Sequence, residues 1–365
     1  MLRKIYCLFL SAIFLLQAQS QTVTSGFNAD EYLEMLRITI GKHDSSHYKN
    51  IPNPQSHYLA YRSAEVGLKN RFDVWINDQN TEMVISLRGT VSDKSSWLEN
   101  FYCAMIPAQG TLHITDSIIF NYKFADDPKA TVHVGWALGI GSLMPAITAK
   151  IKEYHTAKGI KQIIVMGHSQ GGALAYLLTS SLYYQIKDNQ LPNDLVIKTY
   201  ASAAPKPGNL YYAYDYDYIT RAGNAFTIVN AADWVPETPM SIQTLQDYNA
   251  VNPFTNAEAM FGRQSFFVRL YLNHMYNRMD KTTKKAQRKY EKYLGTSLYK
   301  QVKKYLPQFK EPAYAHTMNY MRAGVPVVLQ PDSNYYKQYP DTSKNTFIHH
   351  GMNPYYELVK KIYEK

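Results

Sequence analysis

The chain has 365 residues and a mass of 41.9 kDa, with 45% hydrophobic and 19% charged residues. That is enough for one large α/β domain with a full core, and it excludes disordered and collagen-like chains. The formal net charge is +10, but the excess is local. Eleven Lys/Arg between Arg278 and Lys310 stand against Asp280 and Glu291, a net of +9 in that segment. Aromatic residues reach 14%, mostly through 32 tyrosines, which suggests amphipathic rings on the surface or a lipid- or carbohydrate-facing cleft.

In chain order, Met1 to Lys4 is a basic start, Ile5 to Leu16 is uncharged and mostly apolar, and Ala18 and Ser20 are small residues in a polar end. This is the pattern of a secretory signal peptide over residues 1–20, so a secreted or periplasmic destination is expected. An apolar run of about a dozen residues is short for a membrane span, and no later run is expected to reach spanning length. Without the leader Cys103 is the sole cysteine, so no intrachain disulfide is expected and the core alone must hold residues 21–365 as a single domain.

Phe27–Ile40 reads as a helix with Asn28 as N-cap. The β-rich runs Arg71–Ile76 and Met83–Leu87 flank a hairpin loop at Asn77–Asn80. Val132–Val134 reads as a short strand, Gly139–Lys158 as a helix stopped at Gly159, and Phe101–Ala130 as an irregular stretch able to hold a lid. Gln162–Met166 is a continuous apolar run of the kind buried on both faces of a parallel sheet, and a helix follows over Gly172–Ile186. Further strands are expected at Val196–Tyr200, Phe226–Val229 and Val325–Leu329, with a largely helical, basic insertion at about 250–312. Strands alternating with helices predict a mostly parallel sheet covered on both faces.

Between the buried strand and its helix stands Gly167-His168-Ser169-Gln170-Gly171. A G-x-S-x-G turn there is a nucleophile elbow: a tight bend that tolerates only small neighbours and lifts the serine Oγ above the sheet at a helix N-terminus. Serine at neutral pH needs an imidazole base, and the base needs a carboxylate to hold its tautomer. With the acid and then the histidine following the serine, His274, His316, His349 and His350 are the candidate bases. Asp233, where the strand Phe226–Val229 runs into a loop, is the candidate acid. No H-E-x-x-H, cysteine pair or phosphate-cradling loop is present, so no metal or cofactor is expected.

These motifs, together with Leu87-Arg88-Gly89-Thr90, Val132 to Trp136, Ala203 to Asn209 and Val229 to Pro236, resemble the class 3 (fungal-type) lipase family. The resemblance covers roughly Phe27–Pro239 and the last fifty residues. It implies an α/β-hydrolase fold, from which the chain departs in the longer segment between Asp233 and the histidine, as the helical insertion before the last strand requires. It implies a triad of Ser169, Asp233 and His350, with His349 as alternative base or a support behind it. Thr90 and the backbone N–H of Gln170 would form the oxyanion hole, although the family often has Leu where Gln170 stands. His133 and His316 read as structural.

The expected activity is hydrolysis of carboxylic esters, foremost acylglycerol lipids, with phospholipase A1 or feruloyl-type esterase activity as alternatives. The basic segment 278–310 suggests an anionic membrane surface as partner and, with no recognition motif beside it, not nucleic acid. An inert surface-binding module that uses that segment is the competing reading from another class.

Overall fold

The computed structural model describes residues 25–41, 51–256, 261–262 and 264–364. The expected leader at 1–20 therefore lies outside the described residues. The chain opens with helix α1 (Ala29–Ile40), where the Asn28 side chain caps the Glu31 N–H at 3.0 Å. Strands β1 (His57–Arg62), β2 (Phe72–Asn77) and β3 (Glu82–Leu87) form an antiparallel meander, followed by helix α2 (Lys94–Phe101). Short strands β4 (Met105–Pro107), β5 (Gln109–His113), β6 (Ile119–Lys123) and β7 (Thr131–His133) lead into the long helix α3 (Val134–Lys158). Then come β8 (Gln162–His168), α4 (Gln170–Lys187), β9 (Val196–Ser202), β10 (Gly208–Asn209), α5 (Leu210–Ile219) and β11 (Ala225–Asn230). The last third holds α6 (Phe266–Glu291), a π-helical step (Lys292–Ser297), α7 (Leu298–Tyr305), β12 (Tyr320–Met321), β13 (Val325–Leu329), α8 (Ser333–Gln338) and α9 (Met352–Tyr363).

The central sheet has the order β1-β2-β3-β8-β9-β11-β13, with every pairing from β3 to β13 parallel. Its strands separate two cores by strict alternation. Ile163 and Val165 of β8 face one side with Val74 and Ile85, while Ile164 and Met166 face the other with Trp75 and Val84. Helices α3 and α4 cover the first side, with Trp136, Leu143, Leu174 and Leu178 in its core. Helices α1 and α9 cover the second through Tyr32, Leu36, Tyr355 and Leu358. Burial on both faces explains why β8 reads as an uninterrupted apolar run.

Three expectations are corrected. The stretch Phe101–Ala130 is not irregular: β5 and β6 pair as a hairpin, and Leu112, Phe120, Tyr122 and Phe124 enter the core beside α3. Alternation of polar and apolar residues over only five positions per strand hides that pattern from a helix-length window. Helix α3, starting five residues earlier than expected because His133 caps the Trp136 N–H, is long and apolar enough to cross a membrane by length and composition. Most of it is buried inside the protein, which marks it as a core helix. The tyrosines, finally, are not confined to the surface and the cleft: fourteen are buried among the described residues. Tyr32, Tyr176, Tyr212 and Tyr355 are buried, with their hydroxyls bonded to Ser202, Thr227, Ser180 and Asp233. These four rings fill the core while their phenols keep polar partners.

Candidate active site

The turn joining β8 to α4 leaves no room for a side chain at Gly167 or Gly171. Ser169 has φ +60° and ψ −128°, a strained conformation for a residue with a Cβ. A Cβ on Gly167 would lie 2.1 Å from the Gly171 backbone, and one on Gly171 would lie 2.3 Å from the Leu87 carbonyl oxygen. Gly167 is therefore demanded by the first turn of α4 and Gly171 by packing against β3, and the register of β3 with β8 (Leu87 opposite Gly167) brings that carbonyl close. The Ser169 N–H donates to the Ser202 carbonyl at 2.9 Å, tying the bend to β9.

His350, in the turn before α9, places Nε2 2.8 Å from Ser169 Oγ and Nδ1 2.8 Å from Asp233 Oδ2. Asp233 sits in the loop after β11 and is buried. Burial alone would raise its pKa, but the His350 ring, the Val235 N–H and the Tyr355 hydroxyl overcome that and hold the carboxyl below its usual range. His168 locks the other side of His350. Its Nε2–H donates to the His350 carbonyl at 2.7 Å, so its Nδ1 accepts from Ser202 Oγ at 2.9 Å, and Ser202 in turn accepts from Tyr32 of α1 at 2.6 Å. Burial lowers the His168 pKa to about 3, so this ring is a neutral strut. The other candidate rings are elsewhere. His349 stacks on Tyr335, with Nδ1 2.9 Å from the Tyr335 hydroxyl and Nε2 3.0 Å from Asp341. His316 pairs with Glu291 at 2.8 Å, and His274 is exposed on α6. His133 is buried against Trp136 with its pKa lowered by burial to about 3.

Beside the serine, Gln170 is the first residue of α4, and its N–H is one of the first-turn donors that a helix leaves without an internal acceptor. Its side chain runs the other way. Gln170 Oε1 accepts from Thr90 Oγ1 at 2.9 Å, Thr90 Oγ1 accepts from Asn100 Nδ2 at 2.9 Å, and Gln170 Nε2 donates to Glu99 Oε1 at 2.8 Å. Glu99 is fully buried, also bonded by Asn70 Nδ2 at 2.6 Å, and burial lifts its pKa to about 8. In this arrangement the Thr90 hydroxyl proton points at Gln170, so stabilising an oxyanion with it requires rotation about the Cβ–Oγ bond.

Residues 84–243 match the sequence profile of the lipase (class 3) family. The match takes in 160 of the 365 residues, and this central part of the chain is similar to class 3 lipases. A secreted mono- and diacylglycerol lipase of Malassezia globosa is 30% identical over 138 residues, 36% of this chain and 42% of that protein. A secreted mono- and diacylglycerol lipase of Fusarium solani is 26% identical over 194 residues, 52% of this chain and 50% of that protein. The chain thus spans about half the length, or less, of these curated relatives. Among solved structures, a triacylglycerol lipase of Penicillium expansum superposes with a TM-score of 0.42 at 15% identity, covering 59% of this chain and 75% of that one.

The serine opens into a cavity of about 960 Å³ with a mainly apolar lining. Trp97, Phe101, Trp234, Phe347, Met240 and Leu294 line it, and Trp234 and Trp97 pack on Phe347 at 5.3 and 6.0 Å between ring centroids. The Trp234 indole N–H donates to the Thr346 carbonyl at 2.7 Å, which couples the Asp233 loop to the His350 loop. Glu99, Asn100, Asn70, His168 and Tyr355 support the site without having been singled out for it by sequence. For Glu99 a signal existed: a carboxylate one helical turn after the buried Ser95 and Ser96, two residues past an aromatic facing the cleft. The others are ordinary polar residues until the fold brings them together.

Proposed function

We propose that the chain is an exported hydrolase of carboxylic esters with acylglycerol lipids as its substrates, and that Ser169, His350 and Asp233 are its catalytic triad. The 2.8 Å approach of the His350 ring to Ser169 Oγ, with its far nitrogen on a buried carboxylate, carries this reading. Ser169 Oγ attacks the ester carbonyl while His350 Nε2 takes its proton, and Asp233 stabilises the imidazolium through Nδ1–H. The charge that forms on the carbonyl oxygen meets the Gln170 N–H and the turned Thr90 hydroxyl. Collapse breaks the C–O bond, His350 returns the proton to the departing alcohol, and the acyl group stays on Ser169. Water then attacks, giving one proton to His350 Nε2 and, on collapse, releasing the carboxylic acid and restoring the serine.

The apolar cavity supports a fatty acyl chain as the group accepted. The relatives named as secreted mono- and diacylglycerol lipases support both substrate class and export, as does the leader pattern over 1–20. Residues 21–365 are read as one domain carrying a basic helical insertion. Fluorophosphonate labelling with peptide mapping tests the assignment: the label is expected on Ser169, and Ser169→Ala should lower p-nitrophenyl butyrate turnover by at least about a thousand-fold. A label elsewhere, or retained turnover, refutes the triad. A series of acylglycerol, phospholipid and feruloyl esters checks the substrate class, and preference for either of the last two replaces it.

A further inference from the structure

Helix α6 carries two unlike surfaces on one side. At 100° per residue, Phe266, Phe267, Leu270 and Tyr271 in its first turns and Arg278, Lys281, Lys285, Arg288 and Lys289 further along fall within one arc of about 140°. The apolar four are 63%, 80%, 60% and 64% exposed. The opposite side is turned inward: Gln287 is buried, Asp280 and Thr283 are half-buried, and Tyr290 reaches the cavity wall together with Leu294. Of the basic side chains on the helix, Lys284 alone is ion-paired among the described residues, to Asp280 at 2.8 Å. The stripe is therefore about 35 Å long, with an apolar tip followed by about 17 Å of uncompensated positive charge from Arg278 to Lys289.

We infer that α6 is a docking element for anionic lipid surfaces, with Phe266, Phe267, Leu270 and Tyr271 entering the interface and the stripe from Arg278 to Lys289 lying on the headgroups. The order of the two surfaces selects this occupant. Apolar rings at the tip gain by leaving water for the acyl boundary, and each cation behind them meets a phosphate. A second copy of the chain would set one positive stripe against another. A nucleic acid would neutralise the stripe yet leave four large apolar side chains in water. Because Tyr290 and Leu294 continue the same helical run into the cavity wall, a docked α6 sets the cavity beside the lipid. The inference rests on the proposed lipid ester hydrolysis for its purpose, but its binding is measured apart from turnover.

The test is co-sedimentation of the chain without residues 1–20 with vesicles of phosphatidylcholine, alone or with one quarter phosphatidylglycerol. Hydrolysis of soluble p-nitrophenyl butyrate is followed in the same samples. The expected result is at least about ten-fold stronger partition onto the anionic vesicles, reversed near 1 M salt, where the screening length falls to about 3 Å. The triple variant Lys281→Gln, Lys285→Gln, Arg288→Gln should bind on the order of a hundred-fold more weakly, and Phe266→Ser with Phe267→Ser about ten-fold. Both should keep soluble-ester turnover within about two-fold, since none of these residues lines the cavity. Equal partition onto neutral vesicles, unchanged binding by both variants, or self-association without vesicle binding overturns the inference. Lost turnover with intact vesicle binding counts against the hydrolase reading alone; intact turnover without vesicle binding counts against the docking helix alone.

Discussion

Replacing Glu99 by glutamine should remove a pH dependence of stability that burial of this carboxyl imposes. Glu99 has no exposure and bonds to the amides of Asn70 and Gln170, and burial raises its pKa from 4.5 to about 8. The sign follows from proton counting. Between about pH 4.5 and 8 the unfolded chain has released this proton while the folded protein retains it, so folding takes up a proton and the contribution weakens as pH rises. The slope is about 1.4 kcal/mol per pH unit at full effect. From pH 6 to pH 7.5 it amounts to about 2 kcal/mol, which corresponds to roughly 4–8 °C in melting temperature for chains somewhat smaller than this one. The introduced carboxamide is the uncharged isostere of the protonated acid. With the Asn70 amide turned over, the carboxamide oxygen accepts from Gln170 Nε2 and the carboxamide N–H donates to Asn70 Oδ1. Differential scanning fluorimetry of both proteins at the two pH values reads the effect: Glu99→Gln should gain on the wild type by several degrees as pH rises. A difference between the two proteins that stays constant with pH would refute the argument.

Tyr355→Phe removes one of the three donors on the buried Asp233 carboxylate. Asp233 has a lowered folded-state pKa, so its stability contribution is lost as pH falls through that value. The variant should start to lose stability at a higher pH on acid titration by circular dichroism, and an unchanged acid midpoint would count against the bond. His350→Gln should cut p-nitrophenyl butyrate kcat by about 10³-fold or more, whereas His349→Gln should stay within about ten-fold while lowering the melting temperature through the lost Tyr335 and Asp341 bonds. The reverse ranking would move the base to His349.

The strands were legible where both faces are buried or where alternation is long. Gln162–Met166 announces β8 because an apolar run bounded by Lys161 and Gly167 has few other uses. Weak or short patterns were not legible. The tyrosine-rich Leu210–Ile219 gives no clear apolar stripe yet folds as α5, with Tyr212 and Tyr216 buried in the core. The hairpin β5–β6 is hidden because its polar face fills half of each five-residue strand.

What the sequence alone determined is the bend at Ser169. Only glycines fit against the Leu87 carbonyl and the first turn of α4, so steric exclusion writes the motif directly into the chain. What the tertiary structure decided is which distant groups reach that serine. Four histidines follow it in the chain, and adjacent His349 and His350 are alike in composition and burial propensity. They part because the turn before α9 aims one ring at Ser169 and the other at Tyr335, with Asn230 and His168 each gripping one of the two backbone carbonyls. Contacts that span more than a hundred residues of chain depend on how whole strands and helices stack, and no local spacing encodes them.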